Sequence, residues 1–318
     1  MFGEIKIDIM AFCDVEESMN LWKSQFAFFC KDNVIYPSWE NNTDSIEKYI
    51  SDKSKRGNAL IAKRDGKTVG FISFDIFNFH GVESAICHFC GSASAIEERQ
   101  SIYLAMYYKM CEYCVEKSVL THYISICNND IETKELLFNL GFGAYGADAF
   151  VHFDQALSHR SDYDISIASI FDTQAVYNLR NKAVDYFIKS PIYLRLEPCS
   201  IALIEQKIKS EKVYVAKDNG NIIGIMDLEI AEDNNIYRMY TKGCGVVCGE
   251  VGAFIKDEYR DKGVGSHFMQ TISEYCIQNN LNCAHVPWET ANPSANRFWR
   301  KFFTPTILSL KRTLHSDI

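Results

Sequence analysis

The sequence predicts an α/β protein built from two copies of one structural unit. The chain has 318 residues, which is too long for one ordinary core and fits two domains of about 150 residues each. The stretch AKRDGKTVGFISFDI at 62–76 resembles AKDNGNIIGIMDLEI at 216–230, and CEYCVEK at 111–117 resembles SEYCIQN at 273–279. Self-similarity of this kind indicates a repeated folding unit.

Each copy has the same order of predicted elements. The first pair of stretches is offset by 154 residues, and each member reads as a strand, a glycine-containing turn and a second strand. The second pair is offset by 162, so the difference of 8 is one loop insertion. Each copy therefore runs strand, helical region, hairpin, strand, helix, strand, helix. The polar stretch 154–164 joins the copies, and we predict domains at 1–157 and 163–318.

The composition limits the classes of partner. The formal net charge is −8 and there is no block of basic residues, so a nucleic-acid partner is not expected. The sequence has no uncharged apolar run of membrane-spanning length and no basic segment followed by a long apolar core at its N-terminus. Twelve cysteines without a secretion signal are typical of free thiols in a reducing compartment. We therefore expect a cytoplasmic monomer or homodimer that binds small molecules or peptides.

The stretch FIKDEYRDKGVGSHFM at 254–269 places two glycines where a strand turns into a helix. Glycine is unfavourable inside both elements, so Gly263 and Gly265 indicate a close approach of the backbone to another group. At the offset of 162, the first copy has Ser101 and Tyr103 in these positions. Since the first copy keeps the helix without the glycines, we expect them to serve a ligand of the second copy.

The helix after the glycines has an apolar face. Its residues are Val264, Phe268, Ile272 and Cys276, at four-residue spacing. The first turn of such a helix has free N–H groups at the positive end of the helix dipole, and without bulky side chains it suits a phosphate group. The residues expected to bind the phosphate are Lys262, Gly263, Val264, Gly265 and Ser266.

Two motifs in the second copy resemble a known family. The run Arg260-x-x-Gly263-x-Gly265 looks like the acyl-CoA pyrophosphate loop of the GCN5-related N-acetyltransferases, or GNAT enzymes. A second motif resembles the Asn-x-x-Ala-x-x-apolar-Tyr helix of that family. Its residues here are Asn292, Ala295, Phe298 and Trp299. The resemblance covers the chain from about residue 163 onwards and, through the repeat, reaches a degenerate first copy.

The resemblance implies a fold, a co-substrate and a reaction. Each copy would be a GNAT-like domain, with a mixed and mostly antiparallel sheet flanked by helices, and the second copy would bind acetyl-CoA. The implied reaction is transfer of the acetyl group to a primary amine by direct attack in a ternary complex. The acceptor would be a small-molecule amine, a peptide N-terminus or a lysine. The implied cofactor-binding residues are Phe254, Ile255, Arg260, Asp261, Lys262, Gly263, Val264, Gly265, Ser266, Asn292 and Trp299.

Deprotonation of the acceptor calls for a base, because an amine of pKa about 10.4 is charged at pH 7. Glu250 lies on the strand before the glycine loop, at about the place where several family members carry a catalytic glutamate. Glu289 and His285, on the next strand, are the alternatives. A backbone N–H near Phe254 or Ile255 could bind the thioester carbonyl oxygen as it gains charge.

Two positions of the second motif are ambiguous. Asn292 is an expected helix cap with Pro293 after it, and it could also contact the pantetheine arm of CoA. Trp299 stands where the family usually has a tyrosine that protonates the departing thiolate, and an indole N–H is far too weak an acid for that step. The sequence therefore leaves the general acid unassigned.

Two other functional classes stay open. The first is a CoA-binding or peptide-binding module without turnover, for which Trp299 is the argument. The second is a metal or redox sensor, since Cys87-x-x-Cys90 and Cys111-x-x-Cys114 are separated by 20 residues, within the range of zinc patterns. Strand residues three apart face opposite sides, so we expect the first pair to be buried thiols and expect no metal site.

Overall fold

The computed structural model describes residues 4–31, 39, 43–189, 191–194, 196–210, 212–281 and 283–315. By its internal contacts the chain divides into two compact units. Unit 1 comprises Met1–Asp148, Asn234–Thr241 and Pro305–Ile318. Unit 2 comprises Ala149–Asp233 and Lys242–Thr304.

Unit 1 combines helices with two groups of paired strands. Its helices are α1 (Val15–Cys30), α2 (Thr43–Lys55), α3 (Arg99–Glu116) and α4 (Ile131–Asn139). Its strands are β1 (Lys6–Ile9), β2 (Ala59–Arg64), β3 (Lys67–Ser73), β4 (Asp75–Phe79), β5 (Val82–Cys87), β6 (Ser92–Ser94), β7 (Thr121–Cys127), β8 (Gly143–Val151) and β15 (Thr304–Thr313). One sheet has the antiparallel order β1-β2-β3-β6. The strands β4-β5-β7-β15-β8 are neighbours in that order, and β5 and β7 are parallel.

Unit 2 has the same kinds of element. Its helices are α5 (Thr173–Phe187), α6 (Ile201–Ser210), α7 (Val264–Gln278) and α8 (Pro293–Trp299). Its strands are β9 (Asp164–Ile167), β10 (Lys212–Asp218), β11 (Asn221–Ile230), β12 (Gly245–Val247), β13 (Ala253–Ile255) and β14 (Ala284–Glu289). They are ordered β9-β10-β11-β12-β14, with β13 also on β11, and β12–β14 is the parallel pair. The predicted mixed α/β fold with flanking helices is confirmed.

The two predicted hairpins are present, one in each unit. β2 and β3 are joined at Asp65 and Gly66, with φ of +49° and +79°, and β10 and β11 at Asn219 and Gly220, with φ of +47° and +80°. Two successive residues with positive φ make the type I′ turn that suits the twist of paired strands. Asn-Gly and Asp-Gly sequences favour this turn, which explains why the sequence predicted both hairpins.

The helices bury the faces that their apolar residues mark. On α7 the predicted residues Val264, Phe268, Ile272 and Cys276 are all buried. In the same unit, α5 and α6 contribute to a core with β10 and β11. Among the described residues, no helix is both long and apolar enough to span a bilayer.

Equivalent ion pairs recur within the two units. Lys53 pairs with Asp75 in unit 1, and Lys207 pairs with Glu229 in unit 2 at 3.2 Å. Both members of this pair are displaced by the offset of 154 that the sequence repeat shows. In a second couple, Lys63 lies 2.6 Å from Asp14 and Lys217 lies 3.0 Å from Asp172, with the lysines 154 residues apart and the aspartates 158. The tandem arrangement stays a prediction, and these repeated contacts support it.

The end of the chain belongs to unit 1. β15 pairs with β7 in an antiparallel ladder that runs from Ile307 opposite Cys127 to Thr313 opposite Thr121. The predicted second domain, 163–318, included this strand, whereas the contacts place Pro305–Ile318 and Asn234–Thr241 in unit 1. The repeat revealed which elements are equivalent, but strand pairing depends on contacts that a repeat does not show. The domain ranges themselves stay a prediction.

Candidate functional site

The N-terminus of α7 is open at its first turn. Gly263 is the N-cap residue, with φ of +80°, and no side chain of the described residues caps the helix. The first bond across the turn runs from His267 N to Gly263 O at 2.9 Å. The N–H groups of Val264, Gly265 and Ser266 therefore have no acceptor within the helix and lie at the positive end of its dipole. This end of α7 can accept an anion.

Gly265 is packed closely against α8. A Cβ atom on Gly265 would lie 2.8 Å from Cε2 and 3.0 Å from Cζ of Phe298. A larger residue would therefore displace the ring of Phe298. Gly263 differs, since its Cβ would meet Ser161 at an ordinary 3.6 Å, and its positive φ is what favours glycine. The structure thus gives Gly265 a packing role that the sequence did not indicate.

Arg260 is folded back over the end of β13. Its Nε donates to the carbonyl oxygen of Ile255 at 3.1 Å, and its Nη2 pairs with Asp257 at 2.9 Å. The guanidinium carbon lies 4.6 Å from the ring centre of Tyr186 and 5.3 Å from that of Phe254. Arg260 therefore lies between α5 and the strand that leads into the glycine loop.

Further charges surround the same loop. Lys262 has its Nζ 5.3 Å from the ring centre of Tyr259. Asp261 and Arg297 approach to 3.6 Å, with side chains 83% and 69% exposed. A pair this exposed contributes little to stability. Lys262 and Arg297 nevertheless add positive charge beside the open end of α7.

β13 presents two backbone amides away from β11. Lys256 N donates to Ile223 O of β11 at 2.9 Å. Because hydrogen-bonded residues alternate along an antiparallel ladder, Phe254 also directs its N–H towards β11. Ala253 and Ile255 direct theirs to the opposite side. Of the two donors that the sequence proposed for the thioester carbonyl, the register therefore selects Ile255 and not Phe254.

The strands on either side of these amides diverge. β12 and β14 share a short parallel ladder, whose pairs are Gly245 with Ala284 and Val246 with His285. After a bulge at 248–252, the chain continues as β13, which pairs with β11. In the described part of the chain no ladder joins β13 to β14. The amides of Ala253 and Ile255 can therefore bind a ligand.

Asp227 holds the bulge in place. Its side chain is fully buried, Oδ2 accepts a hydrogen bond from Val251 N at 3.1 Å, and Oδ1 accepts one from Gly252 N at 3.0 Å. The backbone carbonyl of Asp227 also accepts from Cys248 N at 3.2 Å. Charge-assisted bonds of this kind fix a backbone conformation that has no ladder of its own.

The predicted bases lie in different environments. The Glu250 side chain is 58% exposed, and its Oε2 is 3.0 Å from Lys207 Nζ. His285 is fully buried, with its ring centre 4.9 Å from that of Phe150. Glu289 is half-buried at the end of β14. Of the three, Glu250 is the most accessible to an acceptor.

Cys248 lies in the bulge near two carboxylates. It has φ of +59° and is half-buried. Burial raises the pKa of the Cys248 thiol well above its ordinary value, and the charges of Asp227 and Glu289 raise it further. The raised pKa favours the neutral thiol over the thiolate, which is the nucleophilic form.

The ends of α8 have separate roles. Asn292 is the N-cap, with its Oδ1 accepting from Ala295 N at 3.1 Å, so the predicted cap is confirmed. Trp299 is 5% exposed and packs against the ring of Phe303. A phenol is present near the other end of the helix, where Tyr186 OH donates to the Ser294 hydroxyl at 3.3 Å.

One charged residue of the site was not found from the sequence. Arg180, on α5, is 9% exposed and donates from Nε to the Glu250 carbonyl oxygen at 3.3 Å. The sequence feature that could have identified Arg180 is its place in the helical pattern of α5. It lies on the buried face of that helix, together with Val176, Leu179 and Ala183. A charged residue at such a position usually has a specific reason to be buried.

The two cysteine pairs lie on different kinds of element. Cys87 ends β5, whereas Cys90 lies in the 3-10 turn Phe89–Gly91, so the expectation of one strand for both was wrong. Cys111 and Cys114 lie on α3. Among the described residues, no group of three or more His, Cys, Asp or Glu side chains could hold a metal ion.

Comparison with known families agrees with this geometry. Residues 175–303 match the model of the acetyltransferase (GNAT) family. The matched range includes α7 with its glycine loop, the bulge, β14 and α8. The comparison with curated proteins gives no match.

Solved structures show that the fold is shared over most of the chain. A GCN5-related N-acetyltransferase from Sphaerobacter thermophilus aligns with a TM-score of 0.58 and 11% identity, covering 97% of this chain and 95% of that one. A second similar structure is that of a GCN5-related glucosamine N-acetyltransferase region in a fungal multi-domain GH3 β-N-acetylglucosaminidase. It aligns with a TM-score of 0.54 and 11% identity, covering 97% of this chain and 38% of that one. At such identities the likeness concerns the fold alone.

Proposed function

We propose that the second copy of the repeat transfers an acetyl group from acetyl-CoA to a primary amine. The open N-terminus of α7 carries this proposal, because it combines three free N–H groups with a positive dipole end and lies next to the unpaired amides of β13. The GNAT domain at 175–303 supports the same reaction class.

The residues present fit the parts of acetyl-CoA. The first turn of α7, with Lys262 beside it, would bind the pyrophosphate. Arg260 would add positive charge at the end of β13, and Asp261 would shape the loop through its positive φ. The amides of Ala253 and Ile255 would bind the pantetheine and thioester oxygens. Asn292 and Trp299, on α8, would border the arm.

The reaction needs one bond to form and one to break. The neutral amine nitrogen would attack the thioester carbonyl carbon and lose one N–H proton, the C–S bond would break, and the CoA sulfur would leave as a thiolate that takes up a proton, so that the products are the amide and CoA thiol. Before the attack, the ammonium form would lose its proton to Glu250, directly or through water. Glu289 is the second choice of base, and the burial of His285 makes it the third.

The departing thiolate needs a proton donor. Trp299 is buried and has no acidic proton. A chain that binds acetyl-CoA without turnover is therefore the second candidate function. Trp299→Tyr tests the choice, because a phenol should raise the rate of amide formation if a missing acid limits it.

The proposed cofactor site can be tested with a matched pair of glycines. Gly263 and Gly220 both have φ of +80°, and Gly220 has no atom within 4 Å of its Cβ position. Gly263→Glu and Gly220→Glu should thus carry the same backbone strain, whereas a new carboxylate should repel the pyrophosphate only in Gly263→Glu. We expect the Kd of acetyl-CoA, measured by calorimetry, to rise about 10-fold or more in Gly263→Glu alone. Equal affinities in the two variants would refute the site.

Turnover is best followed by mass spectrometry of the acetylated amine. The twelve cysteines carry thiols outside any disulfide of the described residues, so thiol reagents that detect CoA would also label the protein. A panel of amines should include amino acids, polyamines, peptides and glucosamine. Acetyl-CoA binding without any acetylated amine would favour the binding module, and stoichiometric metal in the purified protein would favour the metal sensor.

The first copy fits a scaffold better than a second cofactor site. Arg99, the first residue of α3, is 3% exposed and donates to Asp130 at 2.6 and 2.8 Å and to Ser94 Oγ at 2.9 Å. Asp130 is the repeat equivalent of Asn292. The arginine side chain thus fills space between β6 and α4. A cytoplasmic location and a monomeric or dimeric state stay predictions.

A further inference from the structure

Arg180 is a buried cation beside the bulge of unit 2. It lies on the face of α5 that packs into the core, with Val176 and Leu179 as its neighbours on that face. Only 9% of the residue is exposed. A buried charge costs several kcal/mol unless it is paired and hydrogen-bonded, so the partners of its guanidinium matter.

The guanidinium is only partly satisfied. Nε donates to the backbone carbonyl of Glu250 at 3.3 Å. Nη1 is buried and has no hydrogen-bond partner in the described part of the chain. Nor does any carboxylate of the described residues form an ion pair with Arg180 within 4.0 Å. A planar group with five donors is therefore held next to the bulge with donors to spare.

The neighbouring carboxylates are engaged elsewhere. Both oxygens of Asp227 accept hydrogen bonds from bulge amides, and Glu250 pairs with Lys207. The charges of Arg180, Glu250 and Asp227 all affect the pKa of the Cys199 thiol. Burial raises its pKa, the Arg180 charge lowers it, and the Glu250 and Asp227 charges raise it. The three charges thus all act on this one thiol, and Arg180 itself contacts the backbone of Glu250.

We propose that Arg180 binds a carboxylate of the acceptor, so that the acceptor is an amine that also carries a carboxylate, such as an amino acid. This inference rests on the proposed acetyl transfer. Guanidinium and carboxylate match in shape and form paired, charge-assisted hydrogen bonds. The ammonium group of the same molecule would face Glu250, which holds the opposite charge. A zwitterion would in this way meet the positive charge of Arg180 on α5 and the negative charge of Glu250 in the bulge.

A purely structural role for Arg180 makes a different prediction. If the side chain only holds the Glu250 carbonyl, its loss should affect all acceptors equally. If it binds a carboxylate, its loss should affect only acceptors that have one. Pairs of amines that differ in this group separate the two roles: L-phenylalanine and its amide, L-methionine and its amide, and L-lysine and cadaverine, with glucosamine as an amine without a carboxylate.

The experiment uses the full chain and its Arg180→Gln and Arg180→Lys variants. Lys182→Gln is the matched control, because it removes a positive charge from an exposed position of α5. We expect the wild-type protein and the control to prefer the acids. In Arg180→Gln the KM for the acids should rise about 10- to 100-fold, while the KM for the amides changes less than about threefold. Arg180→Lys keeps the charge and should retain part of the preference.

A binding measurement separates this inference from acetyl transfer itself. Protection of the protein against thermal unfolding by L-phenylalanine or L-methionine, with CoA present, does not depend on turnover. If no amine is acetylated but the acids protect the wild type and not Arg180→Gln, acetyl transfer is wrong and the carboxylate site stands. An equal loss for acids and amides, a loss of acetyl-CoA affinity in Arg180→Gln, or a wild-type preference for the amides would each overturn the inference. If Arg180→Gln does not fold, the wild-type preference and Arg180→Lys still decide.

Discussion

Single residues of the site divide into those that shape the backbone and those that could act on a substrate. Asp227 belongs to the first group, because both of its oxygens bind amides of the bulge. Glu250 belongs to the second group. Its backbone carbonyl accepts the hydrogen bond from Arg180, whereas its side chain is 58% exposed. A general base should be accessible to the amine, and Glu250 meets this condition.

Replacing Glu250 should affect turnover and leave cofactor binding intact. Glu250→Gln keeps the shape and removes the basic oxygen, so we expect the rate of amide formation at pH 7 to fall about 100-fold or more. Affinity for acetyl-CoA should not change, since the carboxylate acts on the amine. The defect should shrink as pH rises, because an amine with a pKa of about 10.4 loses its proton unaided.

The control for this variant is Glu258→Gln, which removes an exposed carboxylate from the same unit. Its rate should match that of the wild type across the pH range. Rates for Glu250→Gln that also match the wild type at every pH would move the role to Glu289, or to a mechanism in which the site positions an already neutral amine.

Residue roles were predictable from the sequence where the rule is local. Gly263 and Asn292 occupy helix N-termini, and their φ value and cap bond follow from residue type and spacing. Arg180 and Asp227 were not predictable in this way. Their roles depend on a bulge that is 21 or more positions away in the sequence from either of them. An aspartate within a strand looks like any other solvated carboxylate until that bulge is seen.

At the scale of elements, α7 and α8 meet through Gly265 and Phe298. The sequence attributed both glycines of the loop to a ligand, and the contact of 2.8 Å gives Gly265 a reason that exists without one. In the first copy, Tyr103 stands at the equivalent position and is buried. The packing between a helix and its neighbour therefore differs between the copies, although the order of elements is the same.

Gly265→Ala should destabilise the protein even when acetyl-CoA is absent. Alanine favours a helix over glycine by up to about 1 kcal/mol, so without a clash the change would stabilise. With the Phe298 ring in the way, we expect a loss of about 1–3 kcal/mol, seen as a lower midpoint of thermal unfolding. Adding Phe298→Leu should recover much of the loss, and Phe298→Leu alone is the control. A midpoint at or above that of the wild type in Gly265→Ala would show that the ring moves aside freely.

At the scale of the whole molecule, the sequence repeat does not coincide with the compact units. The repeat predicted that residues after 163 form one domain. Instead, Leu310 from the last strand is fully buried in the core of unit 1, with Leu60 and Met110 in the same cluster. Repeats identify equivalent elements, whereas the partner of a strand is decided by hydrogen bonds and side-chain packing between distant segments. The fold class was therefore predictable and the assignment of the last strand was not.

Leu310→Ala should consequently weaken unit 1, although the residue is eight positions from the last residue of the sequence. Truncating a fully buried leucine costs about 2–5 kcal/mol, which is a large part of the stability of a domain. The matched control is Ile204→Ala, which truncates a fully buried residue in the core of unit 2.

Because a chain with two compact units need not unfold in one step, the measurement is amide hydrogen exchange resolved by peptide. We expect Leu310→Ala to speed exchange in α3 and β7, and Ile204→Ala to speed it in β10 and β11. Faster exchange in α7 and β14 for Leu310→Ala, with α3 and β7 unchanged, would mean that the last strand is stabilised by unit 2, as the sequence repeat alone suggested.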